Sequence, residues 1–564
     1  MINFTIYNNK TIVKNYNSEE LEFLEKKLKF WKKNFNPDPF GNQFDVINIF
    51  NKEEQSFPTG YLETLKEMLK KEKIKFKEND KRYYPMSSQS FEKMGDLPKL
   101  YKTQEEALKE IMNSPTGVIA SATGSGKTRL IIETIAYRQC TTLIIVPNKS
   151  IQSDMLENFS NIFGKRNVST KAPKNKYDYL FFDDLKKDDN LDEEDEDAPP
   201  TKDLSLGSLG NLFSTSQEQD TTKKKGLHEL SDLYTSTSSS ELEDPEDEYE
   251  EMGKLYKYKN DSNRLEKERK KEIKQYRKEV KPITIICFQS LPNISKKYLS
   301  EVECVIVDEC HHSSSNSIRM GLLEMPSAGY RYFFSGTPWR DTKAELHLLI
   351  SSIGNKLLYE LRGKEAVEEG IISKPIYVSI NPPAPTEFLK KISKRKYREI
   401  LEKGIIKNKT RNKTIVKEAM DLYSNDKNVF IAVDEIAHLE ILKKRFEQLG
   451  VTPNIIFGEM SDWEKNDTIK KVGNHNGSLI TIGTMAVGQG TDMPYVNAVI
   501  LASGGKSTIR FIQRIGRGTR KTTDDFMVID FFDWFHDTLI KHSIERQKTF
   551  KKEYEELSGL DHFN

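Results

Sequence analysis

The sequence predicts an α/β protein: two successive parallel-sheet units flanked by helices, a small α+β domain ahead of them, and an inserted segment inside the first. Three observations carry this. Strand-length apolar runs alternate with helix-length segments over residues 96–168, 283–378 and 410–533, the pattern of parallel strands joined by crossover helices. A glycine-rich turn joins the first strand of that series to its first helix. The interval between the first two blocks has a composition unlike either.

At 564 residues the chain is long enough for three or four domains. Residues 1–95 mix short β-like runs (Asn3–Tyr7, Phe44–Phe50) with two helical patterns. One begins at Ser18-Glu19-Glu20, where Ser18 can cap and the carboxylates suit a helix N-terminus. The other runs from Thr59 to Glu72, with Leu62, Leu65, Met68 and Leu69 at helical spacing. The first α/β unit spans 96–380: helix Thr103–Met112, strand Gly117–Ala120, helix Arg129–Tyr137 and strand Thr141–Val146, resuming at Ile283. The second spans 381–533, with strands expected at Val429–Val433, Asn454–Phe457, Leu479–Ile482 and Val496–Ala502. Residues 534–564 read as a charged helical tail.

The insertion, 169–281, explains the charge balance. The whole chain is +1, but Asp178–Gly253 holds 24 acidic and 6 basic residues, net −18. So polar a stretch cannot bury enough to offset its ordering entropy and is expected to be disordered. Lys254–Lys281 is a basic arm of net +7, expected as a solvated helix. Outside Asp178–Gly253 the chain is +19, so its near-neutral total does not argue against a polyanionic partner. Four scattered cysteines without a CxxC pair argue against a disulfide framework or a zinc site. No apolar run is long enough to cross a membrane, and the first ten residues have no signal layout.

Three motifs carry chemistry. Ser121-Ala-Thr123-Gly124-Ser125-Gly126-Lys127-Thr128 follows an apolar strand and precedes a helix. Backbone N–H groups there can cradle phosphates, Lys127 can meet the β- and γ-phosphates, and Thr128 can ligate Mg²⁺. The first position is Ser121 where the strict pattern has Gly or Ala. Val305-Ile-Val-Asp308-Glu309-Cys-His311 is an apolar strand ending in adjacent acids, suited to deliver Asp308 to the metal and Glu309 to an attacking water. Asp308 lies 181 residues after Lys127, an excess the insertion accounts for. Gln513-Arg-Ile-Gly-Arg517-Gly-Thr-Arg520 places two arginines on one helix face, where they can reach a γ-phosphate.

Taken in order with Ser335-Gly-Thr337, these motifs resemble those of superfamily 2 DNA and RNA helicases. The resemblance covers about 96–168 and 283–550 and implies two RecA-like domains with ATP and Mg²⁺ in the cleft between them. By that resemblance Gln104 reads adenine, Gly490 and Asp492 of Thr484–Pro494 face nucleotide and ribose, and Pro147, Ser290 and Thr484 contact nucleic acid. His311, Ser335, Thr337 and Gln513 couple hydrolysis to domain motion. The DECH motif and the tail Val528-Ile-Asp-Phe with His542-Ser and Arg546 are similar to the UvsW-type phage helicases, kin of XPB-like repair helicases and restriction-enzyme motors. So is the N-terminal stretch from Phe35-Asn-Pro to Phe57-Pro-Thr-Gly-Tyr-Leu, although Gly41-Asn-Gln-Phe-Asp45 lacks the Trp and second Gly of that branch. The N-terminal domain thus reads either as a DNA-binding or as a purely stabilising domain. His312 and Trp339-Arg340 read as loop and packing residues.

What the resemblance implies is an ATP-dependent DNA helicase or translocase that remodels branched DNA in phage recombination, repair or replication: fork regression, branch migration, R-loop or D-loop unwinding. It would be a monomer in the host cytoplasm, its partners DNA and recombination or replication proteins. An RNA helicase, a double-stranded DNA translocase that never separates strands, and a catalytically silent nucleic-acid-binding scaffold remain open as alternatives. The acidic insertion reads as a tether, an autoinhibitory strand mimic or a neutral spacer.

Overall fold

The computed structural model describes residues 1–33, 44–90, 92–94, 97–122, 124–181, 264, 266–339, 343–385, 392, 396–484, 495–505 and 526–555. The acidic segment beyond Phe181, and the basic arm before residue 264, lie outside the described residues.

The N-terminal domain is a four-stranded sheet of order β5-β2-β1-β6, from β1 (Ile2–Ile6), β2 (Lys10–Lys14), β5 (Ser56–Pro58) and β6 (Phe76–Asp80). A separate ribbon pairs β3 (Lys29–Lys33) with β4 (Phe44–Asn48). Helix α1 (Ser18–Lys27) is capped one residue earlier than the sequence suggests. Asn17 Oδ1 accepts from the Glu20 N–H at 2.8 Å and Glu20 accepts from the Asn17 N–H at 3.0 Å. That reciprocal capping box satisfies two end groups, which Ser18 inside the helix could not do. Helix α2 (Leu62–Lys71) buries Leu62, Leu65 and Leu69 as the spacing predicts.

The core of this domain also takes in Leu348 and Ile350 from the helix Lys343–Ile353, which belongs to the first α/β unit. There His347 stacks on Phe30 at 5.1 Å and its Nδ1 meets Tyr61 Oη at 2.8 Å. The small domain is therefore packed onto the helix that follows the Ser335-Gly-Thr337 motif.

The first large sheet is parallel throughout, of order β13-β7-β12-β11-β8-β10-β9. Its strands are β7 (Thr116–Ser121), β8 (Thr142–Val146), β9 (Val168–Ser169), β10 (Ile283–Cys287), β11 (Cys304–Asp308), β12 (Tyr330–Ser335) and β13 (Leu357–Leu361). Helices α3 (Lys102–Asn113), α4 (Lys127–Arg138) and α5 (Lys149–Phe163) cover it. Buried on both faces, its central strands are near-continuous Ile/Val/Leu runs.

The second sheet is also parallel, of order β14-β19-β18-β15-β17-β16. It comprises β14 (Pro375–Ile380), β15 (Asn428–Val433), β16 (Asn454–Ile456), β17 (Leu479–Thr484), β18 (Ala498–Leu501) and β19 (Phe526–Phe531). Strand β14, read from sequence as the end of the first unit, pairs with β19 in the second. Periodicity identifies a strand but not its partner. The tail helix Asp537–Tyr554 belongs to this unit's core, burying Leu539, His542, Arg546, Phe550 and Tyr554. Two ion pairs anchor the region: Arg546 to Asp530 at 2.9 Å and Arg411 to Asp533 at 2.8 Å.

Of the described residues, 172–181, 264, 266–280 and 293–299 form a separate compact unit. Within it the 3₁₀ segment Asn175–Phe181 meets the helix 266–279 through Tyr276, which is 4% exposed and touches the rings of Tyr177 and Phe181. That part of the basic arm is docked by an aromatic clasp rather than wholly solvated. Among the described residues no helix is long and apolar enough to cross a membrane.

Two outcomes test this packing. Arg546→Met leaves Asp530 buried without its cation and is expected to cost about 3–5 kcal/mol, read by chemical denaturation. His438 is buried with Nε2 2.9 Å from Asn412 Oδ1, and burial, then the Arg411 charge, holds its imidazole down to about 3. Below about pH 6.5 the unfolded chain gains a proton that the folded chain refuses, so stability present above that pH is lost on acidification. The melting temperature is expected to fall from about pH 7 to about pH 5, and to fall less in His438→Gln.

Candidate functional site

The functional motifs meet because three strands are neighbours in the order β7-β12-β11. Their register aligns Ala120 with Ser335, and Phe334 with Asp308. Chain separation along the sequence is thereby erased, and three loops leave the same carboxyl edge of the sheet side by side, where ligands bind in open parallel sheets.

The loop after β7 turns through Gly124 and Gly126, both at positive φ (87° and 88°). Gly126 caps α4 from the left-handed region. A Cβ there would lie 2.4 Å from Gln104 Nε2, so a side chain would be strained by the backbone and would also displace Gln104 from the loop. Ser125 Oγ donates to the Ala122 carbonyl at 2.6 Å and lies 2.5 Å from Ser121 Oγ. The serine that departs from the strict motif thus braces the loop from within. Lys127 Nζ donates to the Ser121 carbonyl at 3.2 Å, and Thr128 sits in the first turn of α4. Thr123 lies outside the described residues.

Gln104 is 5% exposed. Its Nε2 donates to the Ser125 carbonyl at 3.1 Å and its Oε1 accepts from the Tyr101 N–H at 3.1 Å. It is thus tied to the phosphate loop itself, a contact the sequence did not reveal.

Asp308 ends β11, and Glu309 follows at φ 49°, a left-handed turn that aims the two carboxylates differently. Each is 7% exposed. Asp308 Oδ1 is buried and has no hydrogen-bond partner among the described residues. Burial, then the Glu309 charge, raises the Asp308 carboxyl well above the usual carboxylate range, with Lys127 acting in the opposite direction. Burial pushes Glu309 the same way but is outweighed by the His311 hydrogen bond, by Lys127 and by Ser335, which hold it low and ionised. The two neighbours are driven apart by what each one touches.

The groups holding Glu309 form a closed polar triangle. His311 Nδ1 lies 3.3 Å from Glu309 Oε2 and 3.0 Å from Ser335 Oγ, and Ser335 Oγ donates to Glu309 Oε2 at 3.2 Å. The Thr337 N–H donates to Ser335 Oγ at 3.2 Å. His311 also stands 4.3 Å from the His312 ring, which is 5.4 Å from Phe288. His312, read as a loop residue, therefore bridges the acidic motif to the Cys287-Phe-Gln-Ser segment. Within that segment Ser290 is exposed, and Gln289 Nε2 donates to the carbonyl of buried Pro147 at 3.5 Å.

Thr484 ends β17 with its Oγ1 buried and lacking a partner among the described residues. Gly490, Asp492, Gln513, Arg517 and Arg520 lie outside the described residues. The side of the site expected from the second sheet is therefore represented by Thr484, and by the anchoring of the chain at Gly504 and Gly505. Their carbonyls meet His542 Nδ1 at 3.1 Å and Arg546 Nη1 at 3.0 Å. The donor set fits a polyphosphate with a hard divalent cation: a helix N-terminus of free N–H groups, a lysine, a hydroxyl and an orphaned buried carboxylate oxygen.

Two family descriptions match stretches of this chain. The "Type III restriction enzyme, res subunit" family matches residues 97–227 and 238–340, and the "Helicase conserved C-terminal domain" family matches residues 411–522. The chain belongs to the superfamily 2 helicases. Among the relatives of this helicase chain is the ATP-dependent DNA helicase uvsW of Enterobacteria phage T4, 25% identical over 247 residues, which are 43% of this chain and 47% of that protein. The chain spans under half the length of each of the curated relatives it matches. Of solved structures, T4 UvsW is 17% identical with a TM-score of 0.38, covering 98% of this chain and 97% of that one. Saccharomyces cerevisiae Dbp5 bound to RNA and ADP BeF3 is 14% identical with a TM-score of 0.45, covering 82% and 89%.

Gly126→Ala forces a side chain into the left-handed region against Gln104. It is expected to cost about 1–2 kcal/mol, seen as a lower melting temperature of the nucleotide-free chain.

Proposed function

We propose that this helicase-family chain hydrolyses ATP under the stimulus of nucleic acid and uses the cycle to remodel branched DNA. The observation that carries the reading is the pairing of a buried Asp308, whose Oδ1 has no partner among the described residues, with a Glu309 kept ionised by His311, Lys127 and Ser335. A spacer or scaffold has no use for two buried acids pushed to opposite protonation behaviour beside a phosphate loop.

In this reading the loop from Gly124 to Thr128 receives the phosphates of ATP and Lys127 offsets the charge on its β- and γ-groups. Thr128 and Asp308 would hold Mg²⁺, whose chemistry is to offset charge on the phosphate oxygens. Glu309 accepts a proton from the water that attacks the γ-phosphorus. As that oxygen–phosphorus bond forms, the bond to the β-bridging oxygen breaks and ADP leaves with its electron pair. Arg517 and Arg520 would stabilise the spreading charge from the second sheet, with Gly490 and Asp492 against the nucleotide.

The triangle of Glu309, His311 and Ser335 then has a second task. Loss of the γ-phosphate changes what Glu309 faces, and His311 and Ser335 carry that change to Thr337 and to the helix Lys343–Ile353, on which the N-terminal domain rests. Gln513 would report it to the second sheet. Pro147, Ser290 and Thr484 would hold the phosphate backbone, which suits sequence-independent movement. DNA is preferred over RNA on the relation to a phage DNA helicase. The match to a restriction-subunit family supports a second reading, a motor that travels on duplex DNA without separating it.

The test compares ATP hydrolysis and strand separation on a Holliday junction, a fork, an R-loop, single-stranded DNA, duplex DNA and RNA. Branched DNA is expected to stimulate hydrolysis most, and Glu309→Gln to lower kcat about 10²–10⁴-fold while ATP still binds. Stimulation by RNA alone, or triplex displacement without fork unwinding, would transfer the assignment to an RNA helicase or a duplex translocase.

A further inference from the structure

A cavity of about 410 Å³ lies between the N-terminal domain and the first sheet. Thr116, Arg331 and Lys356 line it, at or next to the first residues of β7, β12 and β13. That is the edge of the sheet opposite Lys127, Asp308 and Ser335, so the cavity is separate from the nucleotide site.

Its charge is one-sided. Arg82, Arg319, Arg331 and Lys356 line it against one carboxylate, Glu63. Glu63 already pairs with Lys66 at 3.0 Å, and Arg82 with Asp80 at 2.5 Å. Among the described residues the other three cations have no carboxylate partner. Arg331 donates to the carbonyls of Ala328, Leu322 and Met325 at 2.9, 3.2 and 2.5 Å. Lys356 Nζ donates to Ser114 Oγ at 2.9 Å.

Arg319 is the least satisfied of the set. It is 7% exposed, Nη2 reaches Asn316 Oδ1 at 2.8 Å, and Nε is buried with no acceptor among the described residues. Arg331 is 8% exposed, and burial pulls it down to about 10. Buried guanidinium charge without an anion is costly, and the usual remedies are a carboxylate or a bound oxyanion. Among the described residues none supplies that carboxylate, and the cavity beside Arg319 leaves room for the oxyanion. Three cations whose hydrogen bonds go to neutral acceptors match a dianion better than a monoanion. The volume exceeds one inorganic ion and falls in the range of small-ligand sites, and Leu62, Tyr84 and Phe333 offer apolar wall for an organic part.

We propose that this cavity binds a phosphate monoester, with the phosphate held by Arg319 and Lys356 beside Arg331. The site joins the small domain to the motor, so its occupancy would tighten that junction. Two sources share the chemistry: a free mononucleotide and the 5′-phosphate end of a nucleic-acid strand.

The experiment uses the full chain carrying Lys127→Ala, so that the phosphate loop does not compete. Calorimetric titration compares deoxyadenosine 5′-monophosphate with deoxyadenosine, and a 5′-phosphorylated oligonucleotide with its 5′-hydroxyl twin. Saturable binding that needs the phosphate is expected, weakened about tenfold or more by Arg319→Met and by Lys356→Met, each removing one charge-assisted contact. A preference for the 5′-phosphorylated oligonucleotide that both substitutions erase assigns the strand end. Binding of the free monophosphate without that preference assigns the nucleotide. The proposal is overturned if no phosphorylated probe binds, if the unphosphorylated partners bind equally well, or if neither substitution weakens binding. Melting temperatures are taken first, and Lys356→Met decides alone if Arg319→Met does not fold.

Discussion

Two adjacent carboxylates at the end of β11 set the terms for the rest of the site. Both are withdrawn from water, and like charges so close cannot both ionise without help. Glu309 receives that help within the chain, from His311, Ser335 and Lys127. Asp308 receives less, from Lys127 and the Glu309 backbone, and among the described residues its Oδ1 keeps no partner. Each neighbouring feature follows from this asymmetry. Glu309 must turn through positive φ to reach the polar triangle. Strand β12 must lie beside β11 to bring Ser335 there, and β7 must lie beside β12 to bring in Lys127.

Buried charge elsewhere in the molecule follows the same logic with a different outcome. In the second unit, Arg411 with Asp533 and Arg546 with Asp530 are closed pairs, and Arg546 uses its remaining donors on the carbonyls of Gly505 and Phe531. These residues have nothing left to offer a ligand and act as anchors for the strand ends. Asp308, and Arg319 in the cavity under the N-terminal domain, are open. Arg319 stands beside the cavity and Asp308 beside the phosphate loop, where a ligand can meet the open atom.

Much of the fold was legible because parallel sheets buried on both faces write themselves as apolar runs, and because glycine is required where the phosphate loop turns left-handed. Elements β7, α4, β8, β11 and β15 fall close to where periodicity puts them. The differences have physical causes. Ser18 and Asn17 are both good caps, and the reciprocal bond to Glu20 selects Asn17. Strand β14 follows the first unit in sequence but pairs with β19, a choice made by a partner some 150 residues away. The burial of the charged tail helix was not legible because Arg546 and His542 count as polar, although each buries its polar atoms on a defined acceptor. Gln104 was visible as a motif residue, but its grip on the Ser125 carbonyl was not.

By itself the sequence determined the chemistry available: a phosphate loop, an acidic pair at a strand end, a paired-arginine motif and a basic chain interrupted by an acidic segment. Those are local properties, set by residue type at short spacing. Tertiary structure decided which of these groups act on one another. Strand order brings Lys127 and Asp308 within electrostatic reach across 181 residues of chain, register sets Ser335 against Glu309, and packing of the small domain leaves Arg319 buried beside open space. Protonation behaviour and ligand readiness depend on distance and on the loss of water. Neither exists until strands far apart in sequence lie side by side.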